Sequence, residues 1–499
     1  MSRRLPVLLF VAVAAAECAL VFVPTVAGAF FVFDDYAHLD AVRSLPMTSF
    51  FGAPIVGLFR PLTLLAMKAQ FVCFGWAPSG YAAVTALLNL SNAVLFAFVL
   101  RSFGENETVR WLAAAFFLVF PPANETHVWF GCQFDLLCVS GFLVYLFLSA
   151  AALRDGIVGG KRLLFSSLAG GALLLSLLTK EIALAAPLFL AVLATRRRGL
   201  PAIAPLRRVL ALAAASMIPL GAFVALRTAA MPLNNSHYGA PLQLFRDAPL
   251  LPHLRRYVAA MFSFPYFGAS PWAAVFAHGA GLLALVAVLL GLRVAGARGG
   301  AGLCAASIAF LAPVLWMDIT PGSAVGGRLV YAAALPIALL FGLGAASVVA
   351  AVQESSSARD HRTLPVAGAL LLGAFFGGAG LSEFSLQRYW GDAFTLARSV
   401  MGQIERLPAR PNVFVRNLPR QFSNGPYVFK CYAFPIYLAT RAGGRPAFRC
   451  DAVDVERRGK EIIEAGPRES DVYSSYREAR PDELAVELDL QIRRRPEGR

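Results

Sequence analysis

The chain has 499 residues, 58% of them hydrophobic and 15% charged, with a formal net charge of +15. Soluble domains carry about 25% charged residues, so an ordinary water-soluble globular protein is excluded, and the mean hydropathy of +0.62 agrees. The basic residues sit in short clusters between apolar runs, with no basic domain or aromatic-interleaved stripe; they read as topology signal and contact with anionic membrane lipid, not as a nucleic-acid surface.

The first apolar run follows Arg3 and Arg4 and covers residues 6–33. It is much longer than a signal-peptide core of about 7–15 residues, so an uncleaved first span is expected, with its arginines left inside. Further runs lie at 82–100, 111–123, 134–152, 163–179, 182–195, 209–229, 272–292, 301–317, 329–351 and 364–382. A crossing helix needs roughly 20 residues, so the short third and sixth runs are expected to have ends that are broken or extended by flanking segments. The predicted fold class is an all-α polytopic membrane protein of about eleven transmembrane helices.

Orientation follows from lysine and arginine. With the N-terminus inside, the inner connections hold Arg101, Arg110, Arg154, Lys161, Arg162 and the cluster Arg196, Arg197 and Arg198, and the outer ones hold fewer. That bias favours an inside N-terminus, and an odd number of spans then puts the C-terminal tail outside.

Residues 34–81 form a long first outer loop. Its segment from Leu62 to Phe74 is apolar but carries Lys68 and Gln70, which suits a helix at the membrane surface better than a span. Residues 230–271 form another long outer loop. Near Glu383 the composition becomes polar, dividing the chain into a membrane domain, 1–382, and a small extracytoplasmic α/β domain, 383–499. Strands are expected at Val413–Val415 and at 487–490, with helical or mixed structure from Tyr427 to Thr440.

The seven cysteines form no CxxC pair and no metal-spaced cluster. Cys18, Cys138 and Cys304 fall in apolar runs and read as small core residues. If the tail is outside, Cys431 and Cys450 are candidates for a disulfide, which spacing alone does not establish.

The sharpest chemical signal is Asp34-Asp35, with His38 a turn further on. A carboxylate dragged to the bilayer centre costs about 2.5–3.5 kcal/mol, so the pair belongs at the aqueous mouth or in a polar cavity. There a carboxylate can accept a proton from a hydroxyl. A divalent cation is an equal candidate ligand, and a solvated acidic helix end fits the same residues. Arg60, in Phe59-Arg60-Pro61-Leu62, shares the outer face and can bind a phosphate bidentately or lie at the interface. The second outer turn carries Glu125, His127, Gln133 and Asp135 near membrane depth, where each needs a partner. Thr179-Lys180-Glu181 is a short charged turn on the same side, and Arg328 opens the tenth run. Carboxylates and cations on one face suit transfer from a phosphate-linked lipid donor: a base activates the acceptor and the cations stabilise the leaving phosphate. A lipid or glycan transporter or flippase is the alternative; it predicts polar breaks in mid-membrane and internal symmetry, and neither is evident.

In order, Phe33-Asp34-Asp35, Phe59-Arg60-Pro61-Leu62 with Gly80-Tyr81, the turn containing Glu125, Trp129 and Asp135, Thr179-Lys180-Glu181 and Arg328-Leu329-Val330-Tyr331 resemble the motifs of the membrane-embedded C-type (GT-C) glycosyltransferases. These enzymes use polyprenyl-phosphate sugar donors. Within them the chain looks most similar to the protein O-mannosyltransferase-like and transmembrane O-mannosyltransferase branch. The resemblance implies a GT-C-like fold with residues 34–81 as the outer catalytic loop. One carboxylate of the pair is implied as catalytic base, Asp35 ahead of Asp34, with Arg60, Lys180 and Arg328 on the donor phosphate and His38, Glu125, Asp135 and Glu181 as further polar groups of the site. It also implies inversion at the anomeric carbon, a lipid, glycan or protein acceptor, and residence in a bacterial inner membrane with the site on the periplasmic side. The chain departs from the pattern at Gln133, where the family often has arginine, and at Thr179, where it often has serine; no tetratricopeptide repeats follow.

Overall fold

The computed structural model describes residues 5–52, 54, 58–154, 156–196, 203–231, 249–317, 319–355, 363–406, 412–422, 426, 428–429, 447–458, 461–466 and 484–486. Seven of its helices are long and apolar enough to cross a membrane: Leu5–Gly28, Pro78–Ser102, Phe130–Ala152, Arg207–Ala230, Pro271–Val314, Ala334–Val352 and Gly368–Ile404. These lengths make the chain an integral, multi-pass membrane protein.

Among the described residues, seven stretches meet these limits of length and apolarity, and the remaining expected runs lie as follows. The runs at 111–123 and 182–195 fall on helices Glu107–Leu118 and Ala186–Arg196, of 12 and 11 residues. At 1.5 Å rise per residue these span only about 16–18 Å. The run at 163–179 falls on Gly159–Leu177, which at 19 residues is long enough to cross but opens with Lys161 and Arg162 and misses the apolarity set for a span. The runs at 272–292 and 301–317 lie on one helical stretch, Pro271–Leu311, broken at Gly296 (φ 71°, ψ 168°). Only glycine adopts that conformation without strain, and Arg293 and Arg298 flank the break.

Small residues set the closest helix approaches. A Cβ on Gly344 would lie 1.8 Å from the Ala287 carbonyl oxygen, and one on Gly291 would lie 1.9 Å from that of Leu340. The Ala334–Ser355 helix therefore packs backbone to backbone on Pro271–Leu311, as small residues permit inside membranes. Beside this seam Phe116 stacks on Phe341 and Phe375 at 4.4 and 5.7 Å, and the Phe341 and Phe375 rings meet tilted at 4.6 Å.

The polar break expected at Glu383 falls inside a continuous helix, Thr363–Ile404. A four-stranded sheet follows, with β1 Asn412–Phe422, β2 Ala447–Arg458, β3 Glu461–Gly466 and β4 Leu484–Val486. The order is β3-β2-β1-β4; β1 runs parallel to β2 and β4, and β3 antiparallel to β2. The strand expected at Val413–Val415 lies within β1. Residues 487–490, Cys431 and most of the stretch from Tyr427 to Thr440 lie outside the described residues.

The segment expected as the first outer loop folds as helices Asp35–Ser44, Ser49–Gly52 and Pro61–Phe74. The last covers the segment expected at the membrane surface: it starts on Pro61, whose missing N–H is no loss at a first turn, and at 14 residues it is too short to cross. Lys68 Nζ donates to the carbonyls of Val42 and Leu45 at 2.7 and 2.8 Å, closing the orphan end of the Asp35–Ser44 helix. Gln133 exchanges hydrogen bonds with Gln70 at 2.7 and 3.1 Å and donates to Tyr81 O and Thr85 Oγ1. Its amide is spent on fixing the surface helix to the spans.

Candidate active site

The first span ends at Gly28, where Arg398 Nη2 donates to the carbonyls of Gly28 and Ala29 at 3.0 and 3.2 Å. Five residues on, Phe33 holds φ at +52°, a region that bulky residues rarely occupy. Its N–H donates to Val428 O at 3.0 Å, and the Tyr36 and Phe429 rings lie 6.3 Å apart. The segment after β1 thus sits directly on the acidic loop. Backbone strain of this kind persists where surrounding contacts over-determine it, often at functional sites.

The two aspartates have different surroundings. Asp35 is 1% exposed. Its Oδ2 accepts from the Val32 N–H at 2.9 Å and its Oδ1 from Trp129 Nε1 at 2.8 Å. Burial pushes the Asp35 carboxyl well above the usual range, and the Asp34 charge adds to this, while the Val32 and Trp129 donors oppose it. Gly131 makes room for the arrangement: a Cβ there would meet the Trp129 ring at 2.7 Å and Asp35 Oδ1 at 3.0 Å. Asp34 is half-buried and lines a cavity of about 390 Å³.

That cavity collects most of the residues singled out in the sequence. Asp34, His38, Arg60, Asp135, Lys180, Glu181 and Arg328 all border it. Asp35 and Glu125 stand behind its wall. Glu125 Oε1 accepts from Arg328 Nη1 at 2.5 Å and its Oε2 from the Arg328 N–H at 3.1 Å. Burial raises the Glu125 carboxyl, and Arg328 opposes the rise. Lys180 Nζ lies 2.5 Å from Asp135 Oδ1, with both residues buried. Arg60 Nη2 lies 3.3 Å from Glu181 Oε1, and the Arg60 guanidinium stands 5.0 Å over the Phe134 ring. Burial would raise the Glu181 carboxyl, but Arg60 and then Lys180 outweigh it and hold it near 2. The cations expected to meet a phosphate are therefore each already oriented by a protein carboxylate. A cation held this way is pre-aimed and needs little reordering to accept an anion.

Arg227 is a cavity residue that the sequence reading did not single out. It comes from the Met217–Ala230 helix and borders the cavity with Phe223, Val224 and Met231. Its only sequence signal is a guanidinium in the last turn of an apolar run. Among the described residues, four Lys/Arg side chains and three carboxylates line the cavity, so it favours an anion. Trp316, Met317 and Val314 make one side apolar. A group of metal-ligand type, Glu17, His127 and Glu383, occurs elsewhere; Asp34 and Asp35 belong to no such group among the described residues.

No protein-family model matches the chain, and no curated protein matches it. Solved structures do. The oligosaccharyltransferase of Archaeoglobus fulgidus, tethered with an acceptor peptide containing the NVT sequon, matches at TM-score 0.50 and 12% identity over 89% of this chain and 64% of that one. The archaeal oligosaccharyltransferase AglB in complex with an inhibitory peptide and a dolichol-phosphate matches at TM-score 0.47 and 13% identity, over 88% and 64% of the two chains. ArnT from Cupriavidus metallidurans in the apo state matches at TM-score 0.46 and 14% identity, over 89% and 85%. The chain thus spans about 64% of the length of the archaeal enzyme. At this identity the first likeness shows a shared fold alone.

Proposed function

We propose that the chain is a membrane glycosyltransferase that moves a sugar from a polyprenyl-phosphate donor to an acceptor hydroxyl on the extracytoplasmic side. The observation that carries this reading is the cavity itself: Asp34 shares it with Arg60, Lys180, Arg227 and Arg328. Asp34 takes the role of base ahead of Asp35. A base must reach the proton it removes, and Asp34 borders the cavity while both Asp35 oxygens hold N–H donors.

In this mechanism Asp34 accepts the proton of the acceptor hydroxyl as its oxygen attacks the anomeric carbon. The bond from that carbon to the phosphate oxygen breaks on the opposite face, so the configuration inverts. The polyprenyl phosphate leaves with the bonding electron pair, and the four cations stabilise its charge. Phe223, Val224, Trp316 and Met317 offer the lipid chain an apolar flank. Asp35 acts as a positioning residue, fixing the turn that presents Asp34. The cavity, the first outer loop and the sheet face the extracytoplasmic side, with the N-terminus cytoplasmic, as the lysine and arginine bias supports.

The test is a deletion strain complemented with the wild-type chain or with Asp34→Asn, followed by mass spectrometry of the lipid-linked sugars. The reading expects one polyprenyl-phosphate sugar to accumulate in the deletion and in the Asp34→Asn strain. Equal pools in all three strains contradict it.

A further inference from the structure

Glu17, His127 and Glu383 meet outside the cavity, on three separate parts of the chain: the first span, the second outer turn and the last helix. All three are buried, at 3%, 1% and 0% exposure. His127 Nδ1 stands 3.4 Å from Glu17 Oε1 and 3.4 Å from Glu383 Oε1. Neither contact is a hydrogen bond: His127 Nδ1, Glu17 Oε1 and Glu383 Oε1 are all buried without a hydrogen-bond partner among the described residues. One ring nitrogen can point a single N–H at one acceptor, so it cannot satisfy both carboxylates. Three unsatisfied atoms converging at this depth call for a partner.

Spacing and charge identify that partner. With metal–ligand bonds of about 2.0–2.1 Å, neighbouring ligand atoms of a tetrahedral site stand roughly 3.3–3.4 Å apart. The His127 nitrogen keeps 3.4 Å from each carboxylate oxygen. Glu17 sits close to the middle of the 24-residue first span, and the crevice beside it is otherwise lined by apolar side chains such as Val13, Leu20, Phe376 and Phe384. Two carboxylates buried there carry two negative charges. An imidazolium leaves one of them uncompensated in a medium where unpaired charge is expensive; a divalent cation on a neutral imidazole leaves none. Asn124 donates to the second oxygen of Glu383, the outer-shell contact that typically orients a ligating carboxylate. A π-helical turn, Cys18–Phe22, begins directly after Glu17, and such turns recur at functional sites.

We propose that Glu17, His127 and Glu383 bind one divalent first-row transition cation, with zinc the best fit to this ligand set and spacing. The ion ties the first span and the last helix to the turn that carries Glu125 and Trp129, a staple behind the catalytic cavity and not part of it.

The experiment is metal analysis of the full-length protein purified in detergent, by plasma mass spectrometry, before and after chelation and re-addition of zinc, manganese or iron(II) alone. One metal ion per chain is expected in the wild type. It is expected to be regained after chelation, to be retained in Asp34→Asn, and to be lost in Glu17→Gln, His127→Gln and Glu383→Gln. X-ray absorption at the metal edge should show one nitrogen and at least two oxygen ligands with no sulfur. A wild type that is metal-free and takes up none of the three ions overturns the proposal; this arm depends on no variant folding. Metal retained in all three cluster variants but lost in Asp34→Asn overturns it too, because that ion sits in the catalytic cavity.

Discussion

The Trp129 indole N–H donates to Asp35 Oδ1 at 2.8 Å. This bond separates the roles of two adjacent aspartates. It locks Asp35 into the wall together with the Val32 N–H and leaves Asp34 as the member that borders the cavity.

Asp34→Asn is expected to lower transfer by at least ~10²-fold, the lower bound for loss of a general base, with little change in thermal stability. Asp35→Asn exchanges one acceptor oxygen for an amide facing an N–H donor. It is expected to lose about 1–3 kcal/mol of stability and activity in proportion to misfolding. Thermal melts run beside the transfer assay separate the two effects.

Arg328 illustrates the cost of breaking a buried pair. Glu125 Oε1 accepts from the Arg328 guanidinium and Oε2 from its backbone N–H; Arg328→Leu keeps the second bond but removes the counter-charge of a buried carboxylate, and is expected to cost about 3–5 kcal/mol. The double variant Glu125→Gln with Arg328→Leu should be more stable than Arg328→Leu alone. A double-mutant cycle on detergent melts gives the sign.

The acidic pair at the end of the first span is legible in the sequence because carboxylates are rare beside an apolar run. Which aspartate faces the cavity is not legible, since the deciding donor, Trp129, lies 94 residues away. Arg60, Lys180 and Arg328 are legible as cations beside apolar runs, and all three border the cavity. Arg227 is not, because it ends an apolar run and resembles an interfacial arginine. Glu17 and Glu383 are hidden for a related reason: each looks like an isolated charge until three distant segments pack together. The two runs either side of Gly296 are legible as separate helices, whereas the runs that fall on Glu107–Leu118 and Ala186–Arg196 meet described helices shorter than a crossing. Apolar composition records burial but not helix continuity.

Glu181 makes a pH prediction. Its folded carboxyl is lowered to about 2 by Arg60 and Lys180 against the effect of burial. A depressed carboxyl stabilises the fold above the unfolded value of about 4.3, and that contribution is lost as pH falls toward the folded value. Glu181→Gln should therefore melt below wild type at pH 7, with the gap closing between about pH 4.3 and pH 2. A gap that stays constant down to the acid end contradicts the ion-pair account.

The glycine seam is testable by volume. Gly344→Val places side-chain carbon against the Ala287 carbonyl and is expected to cost about 1–3 kcal/mol or more by overpacking. Gly373→Ala, where a Cβ meets nothing within 4 Å, is the matched control and should melt close to wild type.

The most direct test of the central claim is release of polyprenyl phosphate by the purified protein in liposomes. The liposomes are supplied with the polyprenyl-phosphate sugars extracted from the deletion strain and with the acceptor fraction of its envelope. The account predicts release by the wild type, with the transferred sugar inverted at its anomeric carbon, and none by Asp34→Asn. Equal release by Asp34→Asn, or a retained configuration, would contradict it.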